Sequence, residues 1–189
     1  RNEVQDVSDV FKTLWWVPIL LSAGYLAALP CIPRSRSPVV RHALKGWNLA
    51  LCVFSSAGAY HTVPYLVSEL RQHGLRHTLC TPALEWYGTG TVGLWTLLFV
   101  LSKPLELGDT VFLRLRGRPV ICLHWYHHAT VMLFCWHAYA VQAPYALWFV
   151  AMNYAVHAAM YWYYFLTSFG YRPFWGRLLT LAQTAQMAV

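Results

Sequence analysis

An all-α fold, a polytopic bundle of transmembrane helices, is what this 189-residue sequence predicts. Three observations lead there. Hydrophobic residues make up 58% of the chain and charged ones 11%, under half the roughly 25% charged share of a soluble globular domain. The apolar residues fall in runs close to the about 20 that a helix needs to cross a bilayer. Ionisable residues inside those runs recur three and four apart, the spacing of one helix face.

The elements follow in order. Residues 1–12 are polar, of mixed charge, and carry no signal-peptide pattern. Five apolar segments come next, at about 14–32, 46–67, 86–102, 119–140 and 145–167, and a sixth at 174–189 reaches the last residue. The third is the shortest of the first five and continues through Lys103 into a polar-faced end. No internal repeat, low-complexity tract or second domain interrupts them, and the connections are short. Residues 1–189 are therefore expected to form a single transmembrane domain with about six helices.

The charges set an orientation. Segments 33–45 (Arg34, Arg36, Arg41, Lys45), 103–118 (Lys103, Arg114, Arg116, Arg118) and 168–177 (Arg172, Arg177) fall on one side if every run spans. They hold ten of the fourteen Lys and Arg; Arg1, Lys12, Arg71 and Arg76 fall on the other side. Basic loops stay cytosolic, so the N-terminus is expected in the lumen. The net charge of +7 is thus spread along the chain rather than gathered on one face or arm, which excludes a nucleic-acid-binding surface. Five cysteines, an odd number lying mostly inside apolar runs, exclude a disulfide scaffold.

Polar residues inside the apolar runs mark a site, because ionisable groups at membrane depth are costly and face a cavity or the bundle interior. The fourth run opens with His124-Trp-Tyr-His127-His128, whose imidazoles share a helix face. The fifth carries Asn153, His157, Met160, Tyr161 and Tyr164 as a stripe, the sixth Thr180, Gln183 and Gln186, and the end of the third Lys103, Glu106, Asp109 and Thr110. Counted from Pro119, His127 lies about 12 Å deep at 1.5 Å per residue, and His157 about 15 Å from the cytosolic end of its own run. The two can meet at one level.

These stripes coincide with four motifs. Lys103-Pro-Leu-Glu106-Leu-Gly-Asp109-Thr110 reads KxxExxDT, His124 to His128 reads HxxHH, His157 to Tyr164 reads HxxMYxYY, and Thr180 to Gln186 reads TxxQxxQ. In this order, across about residues 44–189, they resemble the fatty acid elongases of the endoplasmic reticulum, the very-long-chain 3-oxoacyl-CoA synthases. The surroundings of HWYHH resemble most the branch acting on saturated and monounsaturated chains.

The resemblance implies a seven-helix transmembrane bundle around a substrate tunnel, in a multi-pass protein of the endoplasmic reticulum membrane. A chain that begins at Arg1 and ends at Val189 inside an apolar run is expected to lack the seventh helix and C-terminal tail. The implied activity is that of an acyltransferase of fatty acid biosynthesis. Acyl-CoA and malonyl-CoA are substrates, no further cofactor or metal is expected, and 3-oxoacyl-CoA two carbons longer leaves with CoA and CO2. Other enzymes of the elongation cycle and a second copy of the chain are candidate partners.

The residue types suit the chemistry. A neutral imidazole can attack a thioester or act as a base, which makes His124, His127, His128 and His157 the catalytic candidates. Phenols and amides donate to a developing oxyanion or enolate, which gives Asn153, Tyr161, Tyr164, Gln183 and Gln186 supporting roles. Lys103, Glu106 and Asp109, clustered within two turns, are expected to orient the histidines or the CoA end of the substrate, the alternative being a structural ion-pair network.

Two other functions compete. A di-iron membrane desaturase or hydroxylase also uses HxxHH, since imidazole suits iron. His73-Gly-Leu-Arg-His77 would supply a second box, but it falls on the opposite side by the charge assignment, and Met160 and Tyr161 stand where a third box needs histidines. A lipid transporter or receptor would explain deep histidines but not the charges clustered at one mouth. Cys135 shares a face with His128 but reads as a small buried hydrophobe. Cys80 falls on the lumenal side, where a disulfide is permitted. His61 and His137 read as packing or interface residues, and Trp15, Trp16, Trp86 and Trp148 as interface belts.

Overall fold

The computed structural model describes residues 2–35 and 37–186. Arg1, Arg36 and the end of the sixth apolar run, residues 187–189, lie outside the described residues. All regular structure among the described residues is helical. The helices are α1 (Asn2–Thr13), α2 (Val17–Ala28), α3 (Pro38–Cys80), α4 (Ala83–Trp86), α5 (Gly90–Glu106), α6 (Gly108–Leu115), α7 (Cys122–Ala140), α8 (Ala146–Thr167) and α9 (Gly176–Gln186), and a 3₁₀ turn, Leu29–Cys31, follows α2.

The all-α expectation holds, but the element list differs from the six apolar runs in ways that local chemistry explains. Residues 1–12, read only as polar, contain α1, an amphipathic helix: Ser8 and Phe11, three apart, are buried, while Asp9 and Lys12 pair outside at 2.7 Å. Segment 33–45 is mostly helix, because Pro38 sits where a helix start tolerates it and the Ser37 hydroxyl accepts the Val39 N–H at 3.2 Å. The polar stretch 68–80 continues α3, with one break at Gly74 (φ 79°, ψ 175°), a conformation open to glycine.

None of the runs becomes a helix that passes as a span by itself. By length and mean hydropathy, no single described helix is long and apolar enough to cross a membrane; Gln5–Thr13 and Val17–Cys31, bent by 51° at their break, do so only as a pair. The cause is composition. Helices α7 and α8 have 19 and 22 residues, but imidazoles, indoles, phenols and an amide replace aliphatic side chains in them.

The contacts divide into two units, 1–40 with 81–146, and 41–80 with 147–189. In the first, α7 packs on α1, α2 and α5. Phe99 and Val100 of α5, Met132, Cys135 and Trp136 of α7 and Phe11 of α1 are buried, with the Trp136 indole N–H donating to the Phe11 carbonyl at 3.0 Å. At one end Gln142 donates to Ser8 at 2.9 Å, and the Tyr87 hydroxyl donates to the Ala143 carbonyl. At the other end the basic segments meet: the Ser35 N–H donates to Leu115 at 2.6 Å and Arg114 to Leu29 at 3.1 Å. Gly117, at φ 66°, closes α6 there, with the Arg118 N–H reaching back to Leu113.

In the second unit Leu51 and Cys52 of α3, Met160 and Tyr161 of α8 and Leu179 of α9 form the core, with Trp47, Tyr163 and Trp175 packed against it. Its two ends are also distinct. Lys45 lies 3.9 Å over the Phe169 ring, joining two basic segments, and Trp148 donates to Thr78 at 3.0 Å.

Candidate functional site

The last turn of α5 buries a charge pair. Lys103 and Glu106, three apart, meet at 2.7 Å with side chains 3% and 8% exposed. The Ser102 hydroxyl adds a 3.0 Å bond to the same carboxylate oxygen, and the ammonium lies 3.9 Å over the Phe99 ring. Lys103 is thus an interior residue, not one of the loop charges among which the sequence counts it.

The expected stripe from Lys103 to Thr110 does not stay on one helix. Pro104 lacks an amide donor and Gly108 follows, so α5 ends at Glu106 and α6 begins at Gly108. Asp109 and Thr110 open α6: Asp109 is half-buried in its first turn, and Thr110 is fully buried.

Helix α7 carries the three histidines together, as the spacing predicts. The His124 and His128 rings lie 4.5 Å apart and those of His127 and His128 5.8 Å apart. Lys103 and Glu106 are within electrostatic reach of His127. The His124 Nε2 is 2.9 Å from the Thr110 hydroxyl, which is 2.7 Å from that of Tyr25 on α2. Sequence reading missed both Tyr25 and Ser102. Ser102 stands four residues before Glu106, a local signal that could have found it. Tyr25 is 85 residues from its partner, and nothing local announces it.

The remaining candidates belong to the second unit. Asn153 and His157, one turn apart on α8, approach at 3.3 Å between Nδ2 and Nε2, and the His157 ring lies edge-on to Tyr161 at 5.6 Å. Tyr161 is 1% exposed, whereas Tyr164 is 41% exposed with its ring 6.5 Å from that of Tyr161. Gln183 of α9 donates to the Met160 sulfur at 2.9 Å. The Gln186 side-chain nitrogen is buried with no hydrogen-bond partner among the described residues. Thr180 is exposed and bonds back to Gly176 of its own helix, leaving Gln183 and Gln186 as the inward members of that stripe.

The other singled-out residues sort by burial. Cys135 is buried in the first core and Cys80 is an exposed free thiol. Half-buried His61 stands edge-on to Tyr60, and His137 is exposed in the last turn of α7. Trp15 and Trp16 are exposed as an interface belt requires, but Trp86 and Trp148 are not: Trp86 is buried and donates to Thr81, and half-buried Trp148 donates to Thr78. An indole N–H with a carbonyl or hydroxyl in reach packs inward. A cavity of about 30 Å³ in the first unit is lined in part by Ser8, Tyr87, Thr96 and Gln142.

A protein-family model described as ELO: GNS1/SUR4 family matches residues 10–189. "Fatty acid elongase 3" of Trypanosoma brucei brucei is 41% identical over 92% of this chain and 67% of that protein. "Very long chain fatty acid elongase 6" is 46% identical in Drosophila melanogaster, over 76% of this chain and 46% of that protein. Its namesake in Gallus gallus is 43% identical, over 79% of this chain and 57% of that protein. The chain thus spans between about half and two thirds of the length of these relatives. No solved structure matches it significantly. With the model matched from residue 10 onward, and the four motifs inside that match, the chain belongs to the ELO (GNS1/SUR4) family.

Proposed function

We propose that this chain carries the catalytic bundle of a fatty acid elongase, which condenses a long-chain acyl-CoA with malonyl-CoA. The observation that carries the reading is the buried Lys103–Glu106 pair within electrostatic reach of His127, built from two of the family's four motifs. The curated relatives are named fatty acid elongases. The di-iron reading lacks its third box: Met160 and Tyr161 are core residues, and the Met160 sulfur is taken by Gln183.

In the proposed reaction an imidazole, that of His127 or His157, attacks the acyl thioester carbonyl. A C–N bond forms, the C–S bond breaks, and CoA leaves as the thiol, taking the proton that the acylated imidazole gives up from its other nitrogen. Malonyl-CoA loses CO2, and the resulting enolate carbon attacks the acyl carbon. The C–N bond then breaks, and a proton from solvent, relayed by a neighbouring histidine, restores the neutral imidazole. His124 and His128 tune His127 or serve as base, and Asn153, Tyr161, Tyr164, Gln183 and Gln186 donate to the charge that develops on oxygen. Residues 1–189 act as one domain in this reading, with the chain passing between the two units after residues 40, 80 and 146.

The same reading places the protein in the endoplasmic reticulum membrane, multi-pass, with a lumenal N-terminus. Large apolar side chains left exposed along the helices, among them Ile19, Leu20, Val53, Leu101, Leu105, Leu178 and Leu181, suit a lipid surround. So does the gathering of basic segments at one end of each unit. The preferred acyl chains are saturated or monounsaturated. The test is to express the full-length protein in membranes, supply malonyl-CoA with a panel of acyl-CoAs, and read products by mass. Products two carbons longer are expected; their absence across the panel contradicts the reading.

A further inference from the structure

Glu69, His73 and His77 follow one another at intervals of four on α3, outside the motifs used above. Glu69 is partly buried, and the His73 and His77 side chains are 50% and 31% exposed. The Glu69 Oε2 lies 2.9 Å from the His73 Nδ1 and 3.6 Å from the His77 Nε2, and the three donor atoms all fall within 4.8 Å of one another. Gly74 breaks the helix between His73 and His77, yet their ring centroids come to 4.7 Å. The Tyr65 hydroxyl, a turn earlier, hydrogen-bonds the Glu69 carboxylate.

We infer that Glu69, His73 and His77 form a mononuclear site for a zinc-class divalent cation. Bond lengths of about 2.0–2.2 Å to nitrogen and oxygen at a tetrahedral centre put neighbouring donors about 3.3 Å apart. The Glu69 contacts at 2.9 and 3.6 Å bracket that value. Two imidazoles and a carboxylate form a donor set that zinc takes, with water at the fourth, open position. Tyr65 supplies the outer hydrogen bond that orients a ligating carboxylate. Two ligands precede the Gly74 break and one follows it, so a bound ion clamps the two parts of α3 together. The site uses no residue of the proposed condensation and stands whether or not that reading does.

The test uses the full-length protein, purified with a tag free of histidine, stripped with chelator, and titrated with Co(II) and then Zn(II). One equivalent of Co(II) should produce the visible absorption of a four-coordinate centre, and Zn(II) should bleach it. Glu69→Gln and the double variant His73→Ala/His77→Ala should lose the band, and Tyr65→Phe should weaken Co(II) binding by about 10-fold. The variant His124→Ala/His127→Ala/His128→Ala should keep it. Zinc should raise the melting temperature of the stripped wild type and leave that of His73→Ala/His77→Ala unmoved. The inference is overturned if the wild type gives no four-coordinate band. It is equally overturned if the band survives in His73→Ala/His77→Ala or vanishes with the α7 histidines.

Discussion

The Thr110 hydroxyl lies 2.9 Å from the Nε2 of His124, and its other short contact, at 2.7 Å, is with Tyr25. One buried hydroxyl therefore ties α2, α6 and α7 together and fixes the plane of the first histidine in HxxHH. With one proton and two lone pairs, the Thr110 hydroxyl can donate to one of these partners while accepting from the other. Tyr25→Phe keeps the ring and removes the bond. It should lower kcat about 10-fold, the equivalent of one hydrogen bond of about 1.4 kcal/mol, with the KM for malonyl-CoA unchanged. Kinetics in membranes normalised for protein amount check this; an unaltered kcat removes Tyr25 from the site.

In the proposed reading the Lys103–Glu106 pair serves both structure and function, and substitutions separate the two. Glu106→Gln leaves a buried ammonium without its carboxylate and should destabilise the protein by about 3–5 kcal/mol. Lys103→Met with Glu106→Leu removes both charges and should restore much of that stability while leaving condensation abolished. Thermal unfolding in detergent and product formation are the two readouts. Activity in the folded double variant would confine the pair to packing.

Asp109 is half-buried in the first turn of α6, next to Thr110. Asp109→Asn retains size and helix position but loses the charge. Condensation should fall below detection while the protein remains folded and membrane-inserted. Near-normal turnover would show that the carboxylate charge is dispensable.

In the second unit, a Cβ added at Gly58 would sit 2.5 Å from the Tyr154 ring. Gly58→Ala should therefore cost about 1–3 kcal/mol through overpacking, and Tyr154→Leu in the same chain should recover part of it. A melting temperature unchanged by Gly58→Ala would show that the ring yields freely.

Orientation is open to labelling. Arg116 and Arg172 are exposed, whereas Gly117, at φ 66°, would strain under any side chain. In a background lacking the exposed thiols of Cys31 and Cys122, Arg116→Cys and Arg172→Cys should react with an impermeant maleimide from the cytosolic side. Cys80 should react from the lumenal side alone. Lumenal labelling at residue 116 or 172 would reverse the topology and close the basic end to cytosolic CoA.

What the sequence could and could not disclose follows from range. The grouping of His124, His127 and His128 and the pairing of Asn153 with His157 are local, set by spacings of three and four on continuous helices, and were legible. So was helical structure across the apolar runs. The split of the Lys103-to-Thr110 stripe was written in Pro104 and Gly108 but outweighed by the regular spacing of its polar residues. Helix α1 was obscured by its charges, since among the described side chains its buried face is Ser8 and Phe11. Tyr25 at Thr110 and Gln183 at Met160 are contacts between separate helices, and no local pattern encodes them. The inward packing of Trp86 and Trp148 depends on acceptors at Thr81 and Thr78 that composition does not reveal.

Acyl transfer to an imidazole is tested most directly by giving purified, active full-length protein a saturating long-chain acyl-CoA and no malonyl-CoA. Free CoA should appear in a burst stoichiometric with enzyme, and a peptide containing His127 or His157 should carry the mass of the acyl group. His127→Ala or His157→Ala should abolish the burst. Wild-type enzyme that condenses both substrates but shows neither burst nor acyl-peptide would contradict the covalent step and leave the histidines as bases in a direct attack on the thioester.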